Sequence, residues 1–550
     1  MNCVLALRGR SVRAATTLVA ALAGIFLTVG CGSSSPAKAN SNGFTDSNLS
    51  GTYVFSSEGL DANGNFLALA GAFVANGSGG ISTTSGTMDV VDSGVTPASP
   101  IAQPITGGSY YVNTDGRGQV KLTSSVGTFT LDFVLTSSPS GLTAASNHGL
   151  ISEFDGNGSG SGTLDLQTAV TSLSQLAGPY AFSFSGIDNG GSPFVASGAF
   201  TLDANGNITS GTGVEDFNAG GSIYSGEALT GGPATLGSGT APGSLAMTTA
   251  SFPLTFDFYP IDSSHLKFIE TDYTEILVGD AFSQTGASIP TGTMVFTMAG
   301  GLSAPIAVGG LMNSVDGLGT FSGGLEDVNN AGSLSPAQLP FSGTPVLAPS
   351  TGGRVVVNLT GFSPAIQWVI YPSSGGLLLQ ESDGANVMQG VAYAQSATAF
   401  TAGSSAGYGL NLTGVDIAGG FEIDDIAQFN ASTNTTNNMT GILDENDQGS
   451  LVGNLQLTGT YTPDSPATGR GSIVVPSLGT PLGGLSLEYY VVDDSTVLAI
   501  ESDTQQVSAG SFELQGTTTV GPTHGSAAHR SMFVVHPLLR SRTGKLRSRK

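Results

Sequence analysis

The feature that most constrains this 550-residue chain is an internal repeat. The segment Gly51-Thr52-Tyr53-Val54-Phe55, closing at Gly59-Leu60-Asp61, returns as Gly178-Pro179-Tyr180-Ala181-Phe182, closing at Gly186-Ile187-Asp188. It returns more loosely from Gly292 to Gly300 and from Tyr408 to Gly414-Val415-Asp416. Positions Tyr53, Tyr180, Met294 and Tyr408 stand 127, 114 and 114 residues apart, and Gly59, Gly186, Gly300 and Gly414 keep those spacings. An acidic step follows in each copy, at Asp89, Glu215-Asp216, Glu326-Asp327 and Asp444-Glu445. A Glu-x-Asp step comes last, at Glu153-Phe154-Asp155, Glu270-Thr271-Asp272, Glu381-Ser382-Asp383 and Glu501-Ser502-Asp503. The chain therefore holds four tandem copies of one module, at 48–170, 174–288, 289–400 and 403–517. Each copy faces the same burial problem and must solve it the same way.

That solution reads as strands. Tyr53 and Phe55, or Tyr180, Phe182 and Phe184, alternate along the chain with the period of two that half-buried strands require. Asp61-Ala62-Asn63-Gly64, Asp203-Ala204-Asn205-Gly206 and Asn157-Gly158 supply hairpin turns, since Asn-Gly accepts the positive φ of tight turns. No stretch of good helix formers with helical period follows residue 30. The expected class is all-β: four antiparallel β-meander modules closed into small barrels, with two-sheet β-sandwiches as the alternative.

Charge is scarce and lopsided. All 40 acids lie between Asp46 and Glu513 with only five bases, Arg117, Lys121, Lys267, Arg354 and Arg470, so this region nets −35. Such a surface excludes nucleic acid as a partner, because nothing neutralises a run of phosphates. Three of the bases follow a Gly in the same part of a module, as Gly116-Arg117, Gly353-Arg354 and Gly469-Arg470, whereas module two offers Gly243-Ser244. Arginine forks onto carboxylates. Each Arg is therefore expected to form a structural ion pair inside its own module, with the Glu of the last step (Glu153, Glu270, Glu381 and Glu501 across the four copies) or with the earlier acidic step.

Catalytic and metal chemistry have little to draw on. His148 and His265 are the only His in the modules and sit at different offsets from the first strand; His524, His529 and His536 lie beyond them. There is no zinc spacing of Cys and His and no Gly-x-Ser-x-Gly elbow between strand and helix. The Asp203 loop starts like a calcium loop but puts Ile208 and Val214 where the Gly and the bidentate Glu belong, and the Asp444 loop ends on Leu455. No cofactor is expected. Carboxylate pairs such as Asp424-Asp425 and Asp493-Asp494 leave room only for weak Ca²⁺ binding. A glycan-active hydrolase would need one carboxylate pair, yet carboxylates recurring in every copy indicate structure, and the single Trp368 offers little sugar stacking. No catalytic residue is assigned, and the chain is read as a non-enzyme.

The front of the chain carries an address. Arg8, Arg10 and Arg13 precede the apolar stretch Ala14 to Gly30, which ends Leu27-Thr28-Val29-Gly30-Cys31. This resembles the lipobox of bacterial lipoprotein precursors, with Thr28 standing where Leu is usual. The resemblance implies removal of residues 1–30, lipidation of Cys31, and, with Gly32 next, delivery to the outer membrane. Cys3 would leave with the signal, so Cys31 would be the sole thiol and the modules would fold without disulfides. Residues 31–47 read as a lipid-anchored tether and 518–550 as a basic disordered tail with seven bases and no acid. The Gly-x-Tyr strand with its hairpin-linked neighbours also resembles, at the level of fold, lipocalin and avidin-like barrels. The expected role is a non-catalytic, cell-envelope stalk or adhesion array of repeated modules, held to the membrane through Cys31 and touching surface polysaccharide or protein. A small-molecule carrier using the barrel cavities is the alternative.

Overall fold

The computed structural model describes residues 43–516 apart from 96–101, 138–143, 273, 285–287, 336–337, 348, 363–365, 404–406, 434–436 and 481–482. The lipobox-like segment, Cys31 and the basic stretch 518–550 lie outside the described residues. Strands build almost everything else, with short 3₁₀ turns at Asp46–Asn48, Leu173–Leu176 and Thr351–Gly353.

Four antiparallel sheets follow the four repeats. The second runs from strand Gly178–Asp188 to strand Glu275–Ser283, which pair with each other and close an eight-stranded barrel. The fourth closes likewise between Gly407–Asp416 and Gln506–Gln515. The third spans Gly292–Gly301 to Met388–Ala394 and closes where Pro305–Ser314 pairs with Phe321–Asn330. Modules two to four are thus closed barrels rather than sandwiches.

The first sheet, from Ser50–Asp61 to Gly158–Leu166, curls without completing its ladder. The reason is local. The fourth strand of barrel two, Ser222–Gly231, has ten residues, whereas its counterpart Gln103–Pro104 has two and cannot span the gap. Among the described residues, the two sides of the gap are joined by the isolated bridge between Gly80 and Ser109 and by the Tyr110 amide donating to the Gly79 carbonyl.

Each interior is filled by side chains of alternate strand positions. Tyr53, Phe55, Phe73 and Phe133 pack inside the first sheet, and Tyr180, Phe182, Phe184, Phe200 and Phe268 inside the second. Phe296, Phe341 and Trp368 fill the third, and Tyr408, Phe429, Tyr489 and Phe512 the fourth. The recurring Tyr or Met of the first strand points inward in all four. The Asp-x-Asn-Gly stretches are hairpin turns: the Asp61 carboxylate accepts the amides of Asn63 and Asn65, and that of Asp203 accepts those of Asn205 and Asn207.

The repeated glycine has one physical cause. A Cβ on Gly59, Gly186, Gly300 or Gly414 would fall onto a carbonyl oxygen of the module's last strand or the residue before it, at Ser159, Ile276, Val387 or Val507. The close approach of first and last strands, which closes the barrel, therefore demands Gly there. Gly186→Ala should cost about 3 kcal/mol or more by urea unfolding, an overpacking effect. Gly156→Ala, whose Cβ would meet nothing within 4 Å, should stay within about 0.5 kcal/mol.

The outer faces of the barrels are also buried, against one another. Val54, Ala68 and Ala70 of module one pack on Tyr259, Ile269 and Val278 of module two. Ala181, Ala199 and Val214 of module two meet Val356, Tyr371 and Leu378 of module three. Val295 and Ala307 of module three meet Tyr490, Ile500 and Val507 of module four. Ile426 of module four then returns to Val134 and Leu150 of module one. The contacts close into a ring, so the four barrels form a compact body rather than an extended stalk.

Candidate functional site: the polar seams between barrels

The acidic step supplies one aspartate per module at an equivalent place. Asp89 pairs in register with Ala70, Asp216 with Ser197, Asp327 with Gly309 and Asp444 with Ile426, all on second strands. Strand alternation turns these carboxylates outward, toward the next barrel. Each also accepts a backbone amide from its own module, donated by Ala102, Gly226, Gln338 or Asn454. Those four donors all have left-handed backbone, with φ of 52°, 63°, 61° and 60°. Three are not glycine, so the chain accepts local strain at each seam to aim an N–H at the aspartate.

The same carboxylates also accept donors from the next module in the ring. Arg354 forks onto Asp216 through Nε and Nη2, both at 2.6 Å, and the Tyr371 hydroxyl donates to the same carboxylate at 2.5 Å. Arg470 forks onto Asp327 at 2.7 and 3.0 Å, with the Tyr490 hydroxyl at 2.6 Å. Across the closing seam Arg117 donates from Nη1 to Asp444 at 2.6 Å, and Val134 stands where the tyrosine would be. At the first seam Tyr259 donates to Asp89 at 2.6 Å without an arginine.

The expected ion pairs are corrected accordingly. The arginines reach the acidic step of the preceding module around the ring, not their own, because the Arg leads a strand whose outer face lies in the seam. Arg117 and Arg470 add partners from their own modules, Asp115 in one case and Asp464 and Glu488 in the other. The module-two counterpart is also not Gly243-Ser244. Gly243 pairs with Phe258 as Gly118 pairs with Phe133, which puts Pro242 at the arginine's place.

A second contact recurs two residues after the aspartate. Asn218 donates its side-chain amide to the carbonyls of Glu381 and Asn386, Asn329 to those of Glu501, Asp503 and Gln506, and Asn446 to those of Glu153 and Gly158. Val91 occupies that place in module one. Each asparagine thus clamps the Glu-x-Asp turn of the following barrel.

Glu153, Glu270, Glu381 and Glu501 bond no arginine. They are the last inward positions of their strands, and all four are at most 2% exposed. The Glu381 carboxylate accepts the Asn386 amide at 3.0 Å, and that of Glu270 accepts the Asp272 amide at 2.9 Å. Burial, reinforced by the neighbouring aspartate, pushes Glu270 up to about 10 and Glu381 up to about 8, and raises Glu153 and Glu501 well above the usual carboxylate range. The step's aspartate caps its turn and ties it to a neighbouring strand: Asp155 accepts the Asn157 and Thr130 amides, and Asp383 the Ala385 and Gln367 amides.

His148 and His265 occupy the same position, five residues before that glutamate, as first residues of strands His148–Glu153 and His265–Glu270. Both point outward into a buried network that links three modules. His148 Nδ1 lies 2.6 Å from Asp165, and its Nε2 lies 3.6 Å from Glu513 of module four. Lys267 Nζ donates to Thr163 at 2.6 Å and lies 3.5 Å from Asp165 and 3.4 Å from Asp280, which holds His265 at 2.7 Å. Burial pulls His148 down, but Glu513 and Asp165 carry it up to about 10. Burial raises Asp165, yet His148 and Lys267 hold it down at about 2. The network bolts three modules of the ring together. Further along, Glu58 of module one accepts the Ser185 hydroxyl of module two, and Ser159 and Ser161 of module one donate to Glu422 and Asp424 of module four.

Barrel four gathers inward carboxyls at Asp425, Glu445 and Glu501, each raised, with burial the leading cause. Among the described residues no group of three or more His, Cys, Asp or Glu is placed to hold a metal ion. A cavity of about 430 Å³ opens between barrels two and three, lined by Phe200, Thr201, Thr212, Gln284 and the Ser350 to Gly353 turn. Its lining offers hydroxyls, an amide and backbone, and no titratable group. No described helix is long and apolar enough to cross a membrane.

No known protein family matches the chain, and no curated protein matches it. Among solved structures, kievitone hydratase from Nectria haematococca is similar at 11% identity over 88% of this chain and 98% of that one, with a TM-score of 0.13.

Proposed function

We propose that the chain is a lipid-anchored cell-envelope protein whose ring of four β barrels is a non-catalytic platform for display or binding. The observation that carries this reading is Leu27-Thr28-Val29-Gly30-Cys31, an acylation signal placed directly before a ring of repeated barrels. The use of the polar side chains supports it: the recurring Asp, Arg, Tyr and Asn bind one barrel to the next. The aromatic filling of the interiors favours display over carriage inside the barrels, since a carrier keeps an apolar cavity for its ligand. Four related outer surfaces held at fixed intervals let weak contacts with polysaccharide or protein add by avidity.

Mass spectrometry of the processed protein tests the anchor. The first residue should be Cys31 bearing a diacylglyceryl group and an N-acyl chain, and Cys31→Ser should move the protein out of the membrane fraction. An N-terminus at any other residue, or membrane retention unchanged by Cys31→Ser, would overturn it.

A further inference from the structure

Three seams of the ring hold an arginine that the first seam replaces with proline. Between barrels three and four, Arg470 joins Asp327 to Glu488, its Nη2 lying 3.0 Å from the first and 2.9 Å from the second. At the closing seam Arg117 lies 2.6 Å from Asp444, and Asp132 on the same side accepts the Gln119 amide at 2.8 Å. The register makes Asp132, Glu488 and Asp257 equivalent. Gln119 pairs with Asp132, Ser472 with Glu488 and Ser244 with Asp257, in each case two residues beyond the arginine's place. Asp257 of module two therefore faces the first seam beside Tyr259, with Pro242 where the arginine would stand.

The two carboxylates of this seam keep acceptor sites that their counterparts use. Asp327 accepts the Gln338 amide, the Tyr490 hydroxyl and both prongs of Arg470. Among the described residues Asp89 accepts only the Ala102 amide and the Tyr259 hydroxyl, one on each oxygen. About two of the four lone-pair sites of a carboxylate are then open where an arginine fork binds in the other seams. Asp257 is 8% exposed, and no described residue donates a hydrogen bond to it. Burial, with Asp89 adding to it, pushes Asp257 up to about 7, as expected of a buried acid beside a second acid with no cation between them. Lys267 pairs in register with Tyr259, but its Nζ lies with Asp165 and Asp280. Pro242 is half-buried, whereas Arg117, Arg354 and Arg470 are buried, so the arginine's place in the first seam is reached from solvent.

We propose that the first seam binds a guanidinium cation from outside the chain, held by Asp89 and Asp257 beside Tyr259, in the place that arginine side chains fill in the other three seams. A guanidinium fits better than an ammonium, because its planar fork meets one open site on each oxygen of Asp89 while a further N–H reaches the second carboxylate, as Arg470 does with Asp327 and Glu488. Free arginine and the arginine side chain of a partner polypeptide both bring this group. The proposal stands on the seam alone and does not depend on acylation of Cys31.

The test is calorimetric titration of the whole chain at about pH 8, where Asp257 is ionised, with free arginine, with the capped peptide acetyl-Ala-Arg-Ala-amide, and with its lysine counterpart. At least one arginine ligand should bind saturably with a Kd of about 1 mM or tighter, and the tighter of the two identifies the source. The lysine peptide should bind at least about tenfold more weakly. Asp257→Asn should weaken arginine binding at least about tenfold. Pro242→Arg, which supplies the fork from within the chain, should abolish binding and raise the melting temperature; it decides alone if Asp257→Asn does not fold. No saturable binding of either arginine ligand up to about 10 mM, equal binding of the lysine peptide, or binding that both variants leave unchanged would overturn the proposal.

Discussion

Replacing Asp327 with Ala should destabilise the protein by about 3 to 5 kcal/mol, because Arg470 and Tyr490 would remain in the seam with their shared acceptor gone. Arg470 is 8% exposed and Tyr490 is fully buried, so water cannot replace the lost carboxylate. The equivalent change Asp89→Ala, which orphans the Tyr259 hydroxyl and the Ala102 amide but no charged partner, should cost about 1 to 3 kcal/mol. Urea unfolding of the two variants reads the difference. A double-mutant cycle sharpens it: Arg354 with Asp216 should show coupling of at least about 1.5 kcal/mol, and Arg354 with Glu381 none. An Asp327→Ala variant within about 1 kcal/mol of the parent would remove the seams as the source of ring stability.

The sequence made the repeated unit legible because strand alternation and hairpin turns are local signals. Tyr53, Tyr180, Met294 and Tyr408 mark the first inward position of each barrel, and the glycines six residues later mark where the last strand comes close. The aspartates and arginines were equally visible as recurring charges. Their pairing was not, because equal spacing within a module says nothing about which copy faces which: Arg354 and Asp216 are 138 residues apart, and Arg117 and Asp444 are 327 apart. Nothing local announces that barrel four returns to barrel one.

His148 and His265 were lost to a simpler cause. Module one has the longest spacing, so offsets counted from the first strand disagree, whereas both residues lie five before the Glu of the Glu-x-Asp step. The inward direction of that glutamate was available from alternation, since Ile151 or Phe268 two residues earlier faces the core. The abundance of acid drew attention to pairing, when most of these carboxyls are accommodated by burial and by hydrogen bonds from amides and hydroxyls.

That accommodation predicts an unusual dependence on pH. A carboxyl that holds its proton more tightly when folded contributes least where the unfolded chain has released it, so stability falls as pH rises from about 4.5 through the folded value. Glu326 and Glu381, both raised to about 8 chiefly by burial, and Glu270, raised to about 10 by burial and Asp272, act in that sense. Each contributes a slope on the order of 1.4 kcal/mol per pH unit within its window. His148 adds to the trend: its folded value of about 10 lies above the free imidazole, so its contribution is complete below about 6.5 and is lost toward 10. Asp165 works oppositely, since its folded value of about 2 means its contribution is present above about 3.9 and lost only in strong acid. Stability should therefore peak between about pH 4 and 5, and fall by several kcal/mol at pH 8. Glu381→Gln keeps the acceptor for the Asn386 amide and should flatten the slope above pH 5 by about one proton. Thermal unfolding from pH 4 to 9 checks both statements. A melting temperature that rises between pH 5 and 8 would mean that these carboxyls are ionised in the folded ring and find cationic partners there. Among the described residues, the buried bases Arg117, Lys267, Arg354 and Arg470 are already bonded to aspartates at the seams, so the interior carboxyls are expected to keep their protons.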